Sequence, residues 1–155
     1  MSRRRALYIG LSAVFLFLLV GCCQQEFVFP EKENFEIQLE VVSVSEYDKA
    51  NYQVQVKTVF INNFNQDLQM YGGECLLDLL FNNKDVQPQK NSVLALYSLE
   101  LFAKHTETKT IQIPKAQFVG SQLQAKSNFY LEGKNGSKQN YVIESEIYTL
   151  TEEDL

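Results

Sequence analysis

The chain has 155 residues, 14 of them basic and 19 acidic, for a net charge of −5 with one histidine and no tryptophan. A net acidic balance with no basic cluster beyond the first five residues argues against nucleic acid as a partner, because phosphate binding needs grouped Lys and Arg. With one histidine and no Cys-x-x-Cys, a zinc centre, which needs several converging ligands, is not expected.

The amino terminus opens with Arg3, Arg4 and Arg5, and no acidic residue precedes Glu26. Ala6 to Val20 is then almost wholly apolar, interrupted by Gly10 and Ser12. That run is shorter than the roughly 18–20 residues that cross a bilayer as a helix. A basic start, a short apolar stretch and small residues at its exit are the marks of an export signal. The stretch ends in Leu19-Val20-Gly21-Cys22, which resembles the lipobox of bacterial lipoproteins. The resemblance implies cleavage between Gly21 and Cys22, with a diacylglycerol on the Cys22 sulfur. It implies a protein anchored in the cell membrane and facing outward, or in the outer membrane of a cell that has one. Two acyl chains hold a protein stably where one binds marginally, at about 0.8 kcal/mol per buried CH₂.

On this reading residues 1–21 are a signal peptide, 22–34 a lipidated tether, 35–150 a domain and 151–155 a frayed acidic tail. Without the signal's three arginines the balance is 11 basic against 19 acidic residues, a net charge of −8. Such a chain is not drawn to anionic lipid by charge, so the lipid must do the anchoring. About 134 residues suffice for one domain with a single core. Cys23 and Cys75 either pair in the oxidising exported setting or stay apart, with Cys75 as a small core residue.

Gln24 to Asn34 carries Phe27, Val28 and Phe29, unusually apolar for a tether; they pack on the domain or meet the membrane interface. Phe35, Ile37, Leu39 and Val41 alternate with Glu36, Gln38 and Glu40, the period of a strand with one wet face. The phase then flips to Val42 and Val44, which predicts a bulge. After a polar turn at 46–51, Tyr52, Val54 and Val56 open a second, antiparallel strand. It runs on through Val59, Phe60 and Ile61 with both faces apolar, as in a central strand. Asn62 to Asp67 is a turn by composition.

Leu68 to Tyr71 is a short strand leading into Gly72-Gly73. Cys75 to Phe81 and Val93 to Phe102 fit either helix or strand, and both are expected as strands, the first because Asn82-Asn83-Lys84-Asp85 stops it so soon. Thr106 to Ile113 is a further strand ended by Pro114, and Lys115 to Gly120 holds a helical turn. The last unit is a hairpin, with Ser127 to Leu131 and Asn140 to Leu150 flanking Asn135-Gly136.

Seven or eight strands spaced near ten residues predict an all-β antiparallel sandwich. The pattern resembles the Ig-like domains of small bacterial lipoproteins, without the Cys…Trp…Cys core of true immunoglobulin domains.

Chemistry is sparse. His105, expected in a loop, would pair with Cys75 in a nucleophilic site, but a solvated loop histidine is the simpler reading. Glu144 and Glu146 share one side of a strand and would serve as acid and base; the wet side of an edge strand explains them as well. No catalytic residue, metal site or cofactor is therefore expected. The candidate interaction surface is Tyr71, Gly72 and Gly73, with Tyr71 presented by a loop. The expected function is a membrane-anchored, non-enzymatic binding module of the cell envelope. Its partner is an envelope protein or a small ligand. The alternatives are a carrier or sensor of a small apolar ligand and an inhibitor of an envelope protease.

Overall fold

The computed structural model describes residues 27–86, 95–100 and 102–155. They form the expected all-β antiparallel fold of two packed sheets. Ten strands are present among the described residues, eight of four or more residues and two of only two residues.

The first sheet holds β1 (Phe35–Glu46), β2 (Asn51–Asn62) and β7 (Lys104–Pro114), with β2 in the centre. The turn joining β1 and β2 is closed by Asp48, whose carboxylate accepts the N–H groups of Ala50 and Asn51, each at 2.7 Å. The Asn51 amide, followed by the Ala50 N–H, holds this exposed carboxyl below its ordinary range. The predicted bulge is present: pairing slips between Val41 and Ser43, leaving Val42 without a partner in the register and turned to solvent. A one-residue slip reverses which face each later side chain occupies.

The second sheet is built on β8 (Gln122–Glu132). Along one edge of β8 run β9 (Lys138–Glu144) and β10 (Tyr148–Thr149). Along the other run β3 (Leu68–Gly72) and β4 (Asp78–Phe81). Gly72 lies opposite Phe129 and Asp78 opposite Lys126, so six steps of one strand answer three of the other. The surplus leaves the ladder as a loop at 73–77. The strand expected over Cys75 to Phe81 is thus confined to Asp78–Phe81, because Leu76 and Leu77 fill the core from that loop. β6 (Ala95–Leu99) covers β3, within the expected Val93 to Phe102, of which Val93, Leu94 and Leu101 lie outside the described residues. β5 (Lys84–Asp85) folds back on β4 through Asn82 and Asn83, at φ 48° and 63°. Two positive φ values in a two-residue loop suit the twist of a hairpin, and Asn tolerates them.

Between the sheets the core has two parts. One gathers Phe35, Phe60, Leu68, Met70, Phe129 and Tyr141; the other Val54, Val56, Ile113, Phe118, Leu123 and Leu150. Leu39 packs against both. The expected helical turn at Lys115–Phe118 seals the second part with the fully buried Phe118.

Both ends of the described stretch, residues 27–30 and 151–155, are tied down. Phe27 and Phe29 pack on the first part of the core, which decides the role of these apolar residues for the folded domain. The chain from Thr151 on is not frayed. Glu152–Asp154 forms a 3-10 turn in which Asp154 accepts the Thr151 N–H at 2.7 Å and the Tyr148 hydroxyl at 2.5 Å.

Candidate functional site

An open groove of about 550 Å³ runs between β1 and the β9–β10 edge. Phe35, Ile37 and Leu39, the inward alternation of β1, line it, together with Glu36, Glu144 and Glu146. It opens where β9 breaks off: Glu144 faces Lys126 and Tyr148 faces Leu123, so four steps answer three. Ser145 fills the gap in the ladder. Its N–H donates to the Ala125 carbonyl at 2.8 Å, and its hydroxyl accepts the Ala125 N–H at 2.9 Å. Periodicity alone sees one strand to Leu150 and misses this break, because a serine hydroxyl substitutes locally for a backbone partner.

The break also bears on the two glutamates. Glu144 ends β9 and lies 3.3 Å from the Lys126 ammonium, whereas Glu146 sits in the irregular segment. They do not follow one another along a continuous strand. Their groove is nevertheless shared, and its size falls in the range of binding clefts.

His105 is in strand β7, not in a loop, and half-buried. Ile111 and Ile113 fix the inward phase of β7, so His105, Glu107 and Lys109 share the inner face, where the loop at 73–77 covers them. His105 Nε2 lies 3.0 Å from Glu107 Oε1. The other Glu107 oxygen lies 3.6 Å from Lys109 Nζ, which also donates to the Leu77 carbonyl. The Leu77 N–H approaches Glu107 Oε1 at 3.4 Å. The histidine is thus turned toward a carboxylate, in a polar cluster that fastens the 73–77 loop to the first sheet. The alternation of β7 carried the signal for this cluster, since the same phase that buries two isoleucines turns three polar residues inward.

Tyr71 lies within β3 and is not loop-presented. Its ring stacks on Tyr130 at 5.0 Å and 10°, and Lys138 Nζ sits 4.7 Å from the Tyr130 ring centre. Gly72 is buried, and a Cβ there would come within 3.3 Å of the Asn128 carbonyl oxygen. Gly73 accepts the Tyr97 hydroxyl at 3.0 Å. Burial, then the charge of Cys75, pushes the Tyr97 hydroxyl up. Cys75 is half-buried in the same loop.

A further set of residues gathers at the end where the described chain begins. Pro30 accepts the Tyr141 hydroxyl at 2.8 Å, and Phe29 lies against Gly133. Burial, reinforced by Glu31, pushes Tyr141 up to about 12. Asn62 is fully buried there, donating to the carbonyls of Gln66 at 3.3 Å and Glu100 at 3.2 Å and accepting the Phe64 N–H at 3.0 Å. Its backbone N–H donates to Ala103 at 3.1 Å. Next to Ala103, Phe102 is 62% exposed at φ 55°, a left-handed conformation unusual for a bulky residue. Val28, at the same end, is 67% exposed.

Gly21, Cys22 and Cys23 lie outside the described residues, so the lipobox and any Cys23–Cys75 pairing do too. Among the described residues no group of three or more His, Cys, Asp and Glu is placed to hold a metal ion. Also among them, no helix is long and apolar enough to cross a membrane.

No family model and no curated protein matches the chain. Among solved structures, an X-ray structure of a Northeast Structural Genomics Consortium target is similar at a TM-score of 0.47 and 11% identity. The match covers 79% of this chain and 89% of that one.

Proposed function

We propose that this protein is a lipoprotein of the bacterial cell envelope, anchored through Cys22, whose Ig-like sandwich is a non-enzymatic binding module. The observation that carries this reading is the lipobox Leu19-Val20-Gly21-Cys22 behind a basic, apolar leader. It is supported by the packing of Phe27 and Phe29 on the domain, five and seven residues after Cys22 in the sequence.

The partner favoured is a protein segment and not a small apolar ligand enclosed between the sheets. The inter-sheet space is filled by side chains such as Phe60, Met70, Leu76 and Phe118. The groove beside β1 is open, and Glu36, Glu144 and Glu146 give it an acidic lining. It suits an extended segment carrying basic side chains.

Two experiments test the two halves of the proposal. Cys22→Ala should leave an unlipidated precursor in source cells; a mature chain starting at residue 22 in that mutant would sink the anchor. A photo-activatable side chain at Gln38, in the groove, should give a reproducible adduct with one envelope protein. Recovery of no protein adduct would overturn the protein-partner reading and return the weight to a small ligand.

A further inference from the structure

We infer that the domain stands end-on to the bilayer, with Phe102 and Val28 in contact with the lipid interface. The inference rests on the anchor at Cys22 and adds an orientation and a contact surface to it. Five peptide units separate Cys22 from Phe27, and fully extended they reach at most about 18 Å. The twelve-residue strands β1 and β2 make the sandwich roughly 40 Å long at about 3.3 Å per residue. A tether less than half that length cannot bring the opposite end of the sandwich to the membrane.

The end that must lie close is the one gathering Phe27–Asn34, the Asn62–Asp67 turn, the residues around Phe102 and the β8–β9 hairpin. Pairing fixes this grouping: Phe35 lies opposite Asn62, Leu68 opposite Leu99, and Glu132 opposite Lys138. Phe102 and Val28 are the two most exposed large apolar residues at this end, at 62% and 67%. Phe102 also holds a left-handed backbone that strains a bulky side chain. Buried Asn62, bonded to Glu100 and Ala103 on either side of it, keeps the turn in place. A strained, exposed aromatic residue held by a buried polar side chain is a site at which function explains the strain, and an exposed Phe side chain buries its apolar area at the water–lipid boundary.

Charge places the opposite end away from lipid. Glu152, Glu153 and Asp154 lie there, beside Tyr148 and the end of β1. The contact at the near end is apolar, because its lysines, Lys32, Lys104, Lys134 and Lys138, are balanced by Glu31, Glu33, Asp67, Glu100 and Glu132. It should therefore persist at high salt, unlike binding through a basic patch.

The chain has no tryptophan, so single reporters can be introduced at Phe102→Trp, Val28→Trp and, at the far end, Tyr47→Trp. Each full-length variant is expressed with labelled palmitate, purified lipidated and reconstituted in phosphatidylglycerol–phosphatidylethanolamine vesicles. Shallow-brominated lipid should quench the reporters at 102 and 28 roughly threefold or more above that at 47, since interfacial side chains sit about 5–10 Å into the boundary. The reporter at 28 carries no backbone constraint, so it reads the contact should Phe102→Trp fail to fold. Equal, weak quenching at both ends of a palmitate-labelled protein overturns the orientation and leaves the anchor standing. Absence of label that depends on Cys22 overturns the anchor, and the orientation with it.

Discussion

The Tyr141 hydroxyl ties the amino-terminal segment to the domain, and its own burial explains why it can do so. A group held at about 12 stays protonated and donates to Pro30. Tyr141→Phe should cost about 1–2 kcal/mol in urea unfolding, the ordinary worth of one such bond plus an unsatisfied carbonyl. Because the folded value is raised, the neutral form is favoured in the native state. The contribution is thus complete below the unfolded tyrosine value near 10 and declines as pH rises toward about 12. A stability difference between wild type and Tyr141→Phe that is unchanged across that alkaline window would contradict this account. Asn62 poses a parallel case, a polar side chain buried with its hydrogen-bond partners in place. Asn62→Ala should destabilise by about 1–3 kcal/mol, because it leaves buried partners unpaired. Equal midpoints for wild type and variant in urea would show that the loops around Phe64 and Phe102 hold without it.

Among the elements, turn composition predicts the structure more closely than strand periodicity predicts strand ends. The β8–β9 hairpin was expected from Asn135-Gly136, and it closes as a three-residue loop with Gly136 at φ 77° and the Gly133 carbonyl accepting its N–H. A Cβ at Gly136 meets nothing within 4 Å, so Gly136→Ala isolates the backbone term. It should lower stability by about 1 kcal/mol in thermal unfolding, and a neutral effect would mean that the turn relaxes. The carboxy-terminal turn depends on Asp154. Burial raises this carboxyl, but hydrogen bonds from Tyr148 and Thr151 outweigh it and hold it below the ordinary aspartate range. A depressed carboxyl stabilises the fold above the unfolded value, and the effect fades as pH falls through the folded one. The difference in Tm between wild type and Asp154→Asn should thus shrink in acid, below the usual carboxylate range. A difference that grows on acidification would reverse the sign.

For the whole molecule, the two parts of the core meet at Leu39, which touches both. One cooperative transition follows, with tyrosine fluorescence and far-UV circular dichroism changing together in urea. Leu39→Ala should cost roughly 2 kcal/mol while keeping the transitions coincident; separated transitions would show two independently melting halves. At this scale the groove and the near end of the sandwich have different duties in the proposed function. Under that proposal the short tether holds one end at the membrane, and the groove along β1 remains open to a partner beside it.

Much of this protein was legible from residue order alone. Alternation gave β1, β2 and β7, the phase flip at Val42 gave the bulge, and Asn and Gly gave the turns, because each rests on local backbone preference or a two-residue period. The lipobox-like Leu19-Val20-Gly21-Cys22 is likewise a local pattern, and it lies outside the described residues. What local pattern could not decide was which residues face one another across the two sheets. The 73–77 loop, the Ser145 break, the inward cluster of His105, Glu107 and Lys109, and the stacking of Tyr71 on Tyr130 all arise from pairing between distant segments. Register sets those contacts, and register is a property of the assembled sheet, where burying Leu76 and Leu77 outweighed continuing a strand through them.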